Sequence, residues 1–173
     1  MSISINGNGI TSANIADGAI TNADIADDAI TDAKLASGGG KVLQVVFAED
    51  ITQTNVATTT YTDTGLSATI TPASTSSTIL VMWDTHISVN STGKGLAIKL
   101  LRDATTVYTS ALAYDLYPNN AGARMRASWK HLDSPATTSA ITYKTQASSY
   151  LSDSITLGEN GNQTQMVLME IGV

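Results

Sequence analysis

The sequence predicts an all-β chain. A jelly-roll-like β-sandwich knob is expected over residues 41–173, preceded by an extended, intertwined repeat stalk over residues 1–40, the whole assembled as a homotrimer. Three observations predict this. The first forty residues repeat every ten; from Lys41 the pattern changes to short alternating apolar runs separated by turn clusters; and the composition is rich in Thr, with 14% charged residues and no cysteine. β-branched side chains fit a pleated surface better than a helix.

The repeat comes first in the chain. Ile10-Thr11-Ser12-Ala13-Asn14-Ile15-Ala16-Asp17-Gly18-Ala19 is followed by Ile20-Thr21-Asn22-Ala23-Asp24-Ile25-Ala26-Asp27-Asp28-Ala29. A third copy, Ile30-Thr31-Asp32-Ala33-Lys34-Leu35-Ala36-Ser37, runs into Gly38-Gly39-Gly40, which reads as a hinge. Repeat units bury their apolar faces against copies of themselves, and three decads are too few to make a core alone. The stalk-core positions are Ile10, Ile15, Ile20, Ile25, Ile30 and Leu35, spaced by five. A five-residue step turns about 500° on an α-helix, so these side chains would spiral round the axis. On a strand an odd step alternates faces. A coiled path with one bend per pentad gathers them on one side, and Asp17, Gly18 and Asp27 suit such bends. Ala13-Asn14-Ile15, Ala23-Asp24-Ile25 and Ala33-Lys34-Leu35 resemble the signature of pentapeptide-repeat β-helices, but the segment is too short to close the coils of that fold. Three intertwined chains, with Ile and Ala inward and Thr, Asn and Asp outward, bury the stripe; the alternative is a disordered, low-complexity arm.

Every aromatic residue lies beyond Lys41, beginning at Phe47, so the packed core is expected there. Candidate strands are 42–48, 66–71, 79–89, 96–102, 106–113, 124–132, 141–148 and 165–171, with Tyr61 on a further short strand. Between them stand breakers: Asp63-Thr64-Gly65, Thr71-Pro72, Asn90-Ser91-Thr92-Gly93, Pro118-Asn119-Asn120, Ser134-Pro135 and Gly158-Glu159-Asn160-Gly161-Asn162. Strands at this spacing, without a helical period of useful length, indicate a sandwich or jelly roll. The first and last strands are expected side by side in its core, which makes the C-terminal strand structural.

Composition excludes several functions. Without cysteine there are no disulfides, thiolate metal sites or cysteine nucleophiles. The net charge of −6 argues against a phosphate-backbone partner, so no nucleic acid is expected. Much of that negative balance sits in the repeats, where Asp17, Asp24, Asp27, Asp28 and Asp32 face only Lys34. No apolar run approaches the roughly 20 residues needed to span a bilayer, so no membrane insertion is expected. The start, Met1-Ser2-Ile3-Ser4-Ile5-Asn6, has neither the basic nor the apolar region of a signal peptide.

Several residues together resemble a known family. The Ile-Thr-x-Ala-x-Ile-Ala-Asp-x-Ala decads, the Gly run and Lys41-Val42-Leu43-Gln44-Val45-Val46 are similar to tail-fibre proteins of tailed bacteriophages, particularly marine and cyanobacterial ones. So are Tyr61-Thr62-Asp63-Thr64-Gly65-Leu66-Ser67-Ala68-Thr69-Ile70-Thr71-Pro72, Ser77-Thr78-Ile79-Leu80-Val81, Leu100-Leu101-Arg102-Asp103 and the Met-Glu-Ile ending. The resemblance implies a trimeric virion fibre, assembled in the host cytoplasm, whose N-terminal segment joins tail, baseplate or capsid proteins and whose knob contacts a host surface glycan. The chain is short for a tail fibre and has no long shaft, which leaves a decoration fibre on capsid or collar as the alternative.

Candidate sites follow from residue type. Tyr114 and Tyr117 flank Asp115 and lead into Pro118-Asn119-Asn120, an exposed loop whose rings could stack on sugars; Tyr114, Asp115, Tyr117, Asn119 and Asn120 are the expected receptor contacts, with 158–163 as a second loop. Trp129, Lys130 and His131 form a further candidate, although an alternating strand buries Trp129 in one of its two orientations. Asp84 and His86 share a strand face with Trp83 opposite, and a metal site would need His131 and a fourth ligand, so a polar face at a subunit interface is the expectation and no metal or cofactor is. A glycan hydrolase would need two carboxylates flanking the scissile bond. Asp103, Asp115, Asp133, Asp153 and Glu159 are available, but no spacing selects a pair, so no catalytic residues are expected.

Overall fold

The computed structural model describes residues 21, 24, 25, 41–93, 95–110, 116–118, 120–152 and 154–172. The chain divides into two units, Met1–Gly38 and Gly39–Val173. In the first, the Asp24 carboxylate accepts from the Thr21 N–H (2.9 Å) and hydroxyl (2.6 Å), while the Asp24 N–H donates to the Thr21 carbonyl at 3.0 Å. This is a bend, at Thr-x-x-Asp; the anticipated bends at Asp17, Gly18 and Asp27 lie outside the described residues. Those hydrogen bonds hold the Asp24 carboxyl below its ordinary value. Ile25 is exposed in the single chain. Ile10, Ile15, Ile20, Ile30 and Leu35 lie outside the described residues.

The second unit is a jelly roll. Its strands are β1 (Lys41–Asp50), β2 (Thr54–Val56), β3 (Thr62–Ile70), β4 (Thr78–Val89), β5 (Leu96–Arg102), β6 (Thr105–Thr109), β7 (Ala123–Asp133), β8 (Ile141–Ser149), β9 (Ile155–Leu157) and β10 (Thr164–Gly172). Sheet A runs β1-β10-β4-β7, with β9 taking the β10 side of β4 near its end and β2 pairing β9; sheet B runs β3-β8-β5-β6. The antiparallel pairs β1/β10, β3/β8, β4/β7 and β5/β6 nest inside one another. The chain is thus one long hairpin ribbon, rolled so that successive strand pairs fall alternately in the two sheets, which is the jelly-roll arrangement.

Alternation decides which side chains enter. Val81 and Trp83 of β4, Leu66, Ala68 and Ile70 of β3, Tyr143 of β8, and Met166 and Leu168 of β10 point between the sheets and are buried. Trp83 stacks on its cross-strand partner Trp129 (6.0 Å, 16°) and meets Tyr108 of β6 edge-on at 5.7 Å, closing the core where β6 faces β7.

The outer faces differ. That of sheet B is polar: Asp63 accepts from Lys144 (3.0 Å) and Gln146 (2.6 Å), Thr69 meets Thr142, and Lys99 sits 4.0 Å above the Tyr61 ring. These donors hold the Asp63 carboxyl below its ordinary value. Sheet A is apolar over half its outer face. Register places Val45, Met169, Leu80 and Leu132 in one row across the four strands, and Phe47, Val167, Met82 and Lys130 in the next. A bulge between Val42 and Gln44 lets Val42 join the same face beside Ile171 while Gln44 turns inward.

Register also defines two ends. Connections 51–61, 90–95, 110–122 and 150–163 lie at one end. At the other are 71–77, 103–104 and 134–140, together with Lys41 and its partner Gly172. Two buried carboxylates lock this second end. Asp133 accepts from Arg102 (2.7 Å) and from the Tyr143 hydroxyl (2.6 Å), joining the sheets. Burial, and then the bond to Asp133, push the Tyr143 hydroxyl pKa well up. Glu170 accepts from Gln44 (2.5 Å) and from the Ala73 N–H (2.7 Å), fastening the 71–77 connection to sheet A.

Most predicted strands stand, with shifted ends, and four expectations need correction. Asp63-Thr64-Gly65 is not a turn but a bulge inside β3, where Gly65 takes φ +95° and the Thr64 hydroxyl bonds to Thr145 of β8. Tyr61 lies just outside β3; the extra short strands are β2 and β9, three residues each, too brief to show a period. Of the strand expected over 106–113, β6 ends at Thr109, where the Ser110 hydroxyl takes the Ile98 N–H at 2.8 Å, and residues 111–113 lie outside the described residues. β1 does pair with β10, but at the edge of the sheet, with Phe47 56% exposed.

A β-carbon at position 65 would collide with the Asp50 carboxylate, on a backbone that L-residues rarely adopt. Gly65→Ala is therefore expected to cost about 1–3 kcal/mol, read as a lowered denaturation midpoint at unchanged slope.

Candidate functional site

The elaborated end of the sandwich is the candidate site. Four connections converge there by main-chain hydrogen bonds. The Ser149 N–H donates to the Thr58 carbonyl (2.8 Å), Tyr150 to Gly95 (2.8 Å), Gly122 to Val89 (2.8 Å) and Leu96 to Leu116 (3.0 Å). At the tip Tyr117, 40% exposed, meets Tyr150 edge-on at 6.1 Å, and its hydroxyl lies close to Gly93. Beyond Tyr150, Leu151 (64% exposed) and Ser152 both adopt left-handed φ, +59° and +58°. A left-handed, exposed leucine is costly, and such strain concentrates at functional loops.

Of the expected receptor contacts, Tyr117 and Asn120 are at this end and Asn120 is exposed, while Tyr114, Asp115 and Asn119 lie outside the described residues. The 158–163 loop belongs to the same end, but it is braced. Glu159 receives both Arg124 Nε (2.8 Å) and Nη2 (3.3 Å), and Arg126 donates to the Gln163 carbonyl (3.0 Å) while pairing with Asp84. The Arg124 contact holds the Glu159 carboxyl below its ordinary value, and Glu159 raises Arg124 in return. Sequence reasoning passed over Tyr150, an aromatic set in the polar run Ser148-Ser149-Tyr150-Leu151-Ser152 directly after a strand; that setting was the available signal.

The other candidates disperse. Asp84 and His86 point outward from β4 as expected, with Trp83 inward, but His131 of β7 faces inward near Tyr108, so the two imidazoles occupy opposite faces of the sheet. Trp129 likewise turns inward and only Lys130 faces out. Asp103 caps the Thr142 N–H (2.9 Å) and Asp133 is buried, both at the end away from Glu159; Asp115 and Asp153 lie outside the described residues. No helix among the described residues is long and apolar enough to cross a membrane.

No protein-family model and no curated protein matches the chain. Among solved structures it is similar to the VP2 subviral particle of infectious bursal disease virus, at TM-score 0.46 and 14% identity, over 75% of this chain and 40% of that one. The Gx strain of the same virus gives TM-score 0.46 and 13% identity over 74% and 39%, and its T13 particle 0.43 and 16% over 74% and 37%. The chain spans about two fifths of the length of these proteins. The jelly-roll assignment stands on the strand pairing itself.

Proposed function

We propose that this chain is a structural virion protein, the subunit of a homotrimeric bacteriophage tail fibre that attaches the particle to the host surface, without enzymatic activity. One observation carries the reading. Lys41, where the decad segment joins, is at one end, and the three longest connections, 51–61, 110–122 and 150–163, are at the opposite end. A scaffold anchored at one end and elaborated at the other is suited to presenting loops outward. The exposed Tyr117 ring and the half-buried Tyr150 ring against it suit stacking on a host surface glycan, and three weak sites on one trimer gain avidity through effective concentration. The N-terminal segment then joins other virion proteins of tail, baseplate or capsid.

Binding of the full chain to an array of bacterial surface polysaccharides tests this. Tyr117→Ala with Tyr150→Ala is expected to weaken binding about 10- to 100-fold, because the loss is multiplied over three linked sites. Thr105→Ala, at the other end, serves as the control and is expected to leave binding unchanged. Equal binding by all three proteins would remove the loop end from the contact, and release of oligosaccharides on incubation would make the protein a hydrolase.

A further inference from the structure

We propose that the outer face of sheet A is the surface through which knobs associate with one another, the β1 side of one copy against the β7 side of the next. The inference rests on the trimer reading above and adds to it where the subunits meet.

Three properties of the face point to a second copy of this chain. The first is area. Phe47 and Val45 are each 56% exposed and Leu132 is 57% exposed, and Val42 joins the same surface. Together with their half-buried neighbours they present on the order of 500 Å² of contiguous apolar surface, near the most a monomer leaves in water and approaching the roughly 800 Å² that each partner gives a standard interface. The second is the rim. Below the apolar rows lies a polar one, Glu49, Gln165, Asp84 and Ser128 in register, bordered by an open groove of about 390 Å³. An apolar centre with a charged rim is the anatomy of an interface. Glu49 stands on the β1 edge and Lys130 on the β7 edge, and among the described residues neither forms an ion pair within the chain. A ring of copies related by rotation brings one edge to the other, pairing Glu49 with Lys130; the same operation stacks the Phe47 side on the Leu132 side. The third is connectivity. Val42, the first outward residue of the apolar surface, is two residues beyond Gly40, so chains gathered by their decads enter their knobs at the margin of this face. Sheet B offers no counterpart, since its outer face is occupied by polar and charged pairs.

The chain has no cysteine, so introduced thiols report without interference. The experiment oxidises full-length Phe47→Cys/Leu132→Cys and reads non-reducing gels, alongside Thr69→Cys/Thr105→Cys at the two edges of sheet B. Covalent trimers are expected from the first pair and none from the second. Light scattering of full-length Glu49→Lys and Lys130→Glu should show the trimer dissociating at about tenfold higher concentration in each, with the double exchange restoring it. All these positions are at the surface, and circular dichroism confirms that each variant folds. A monomeric wild-type chain would overturn the trimer reading itself. A wild-type trimer that neither cross-links at 47 and 132 nor weakens on charge reversal would leave that reading standing, assign the face to another protein, and overturn this inference alone.

Discussion

A chain lacking residues 168–173 is expected not to fold its knob. β10 lies between β1 and β4, so removing its second half strips partners from both neighbours at once: Val46 and Val81 lose Leu168, and Gln44 and Ile79 lose Glu170. Leu168 and Glu170 are fully buried. Shortening one buried leucine to alanine already costs about 2–5 kcal/mol, against a total stability for such a domain of about 5–15 kcal/mol. Loss of half a central strand, its ladder of hydrogen bonds and the Glu170 anchor exceeds that total. Thermal melting followed by circular dichroism should show no cooperative transition in the truncated protein. A cooperative melt near the wild-type temperature would mean that β1 and β4 close the sheet without β10.

The class of the fold was legible because most strands are long enough to show their period. β4 alternates buried and half-buried positions from Thr78 to His86, and β10 does so from Thr164 to Glu170, and no helical reading survives nine such residues. Pairing of the first and last strands was also foreseeable. What sequence could not show has physical causes. β2 and β9 are too short for a period and exist because each offers the other a ladder. Gly65 reads as a turn glycine, since the same positive φ serves turns and bulges, and only the partner strand distinguishes them. The flat ring of Tyr117 marked its loop as a candidate from sequence, whereas Tyr150 is brought to it by the Tyr150–Gly95 main-chain bond between distant connections. Alternation marks a strand's two faces without saying which lies inside. That is why Phe47, an aromatic taken as the first sign of the core, faces out, and why Trp129 faces in.

On the fibre reading proposed above, the two ends of the sandwich divide the demands of a knob. The buried Asp133 and Glu170 carboxylates at the Lys41 end give a stiff base, where a load carried along such a fibre would enter. Longer connections at the other end tolerate the strained backbone of Leu151 and Ser152. Stability and the proposed recognition are thereby separated along the strands, so the loop end can vary without disturbing the base.

That separation makes Glu170 the side chain whose alteration should be felt most widely. Burial alone would raise its carboxyl, yet donation from Gln44 and from the N–H of Ala73 outweighs burial and holds it below its ordinary value. Glu170→Ala leaves these donors facing an apolar void, and a lost hydrogen bond to a charged group costs about 1.5–3 kcal/mol, so the total loss should be about 3 kcal/mol or more. Glu170→Gln preserves shape and one acceptor and is expected to cost about half as much. The pH dependence has a definite sign. A carboxyl lowered on folding contributes its full stabilisation above the unfolded value near 4.5, and loses it as pH falls through the folded value. Denaturation midpoints of the wild type should therefore drop on acidification below about pH 4.5, more steeply than those of Glu170→Gln. Asp63 and Glu159, also lowered, leave a residual slope in the variant. Parallel curves for the two proteins would show that Glu170 enters the fold already neutral and that its donors, not its charge, hold the 71–77 connection in place.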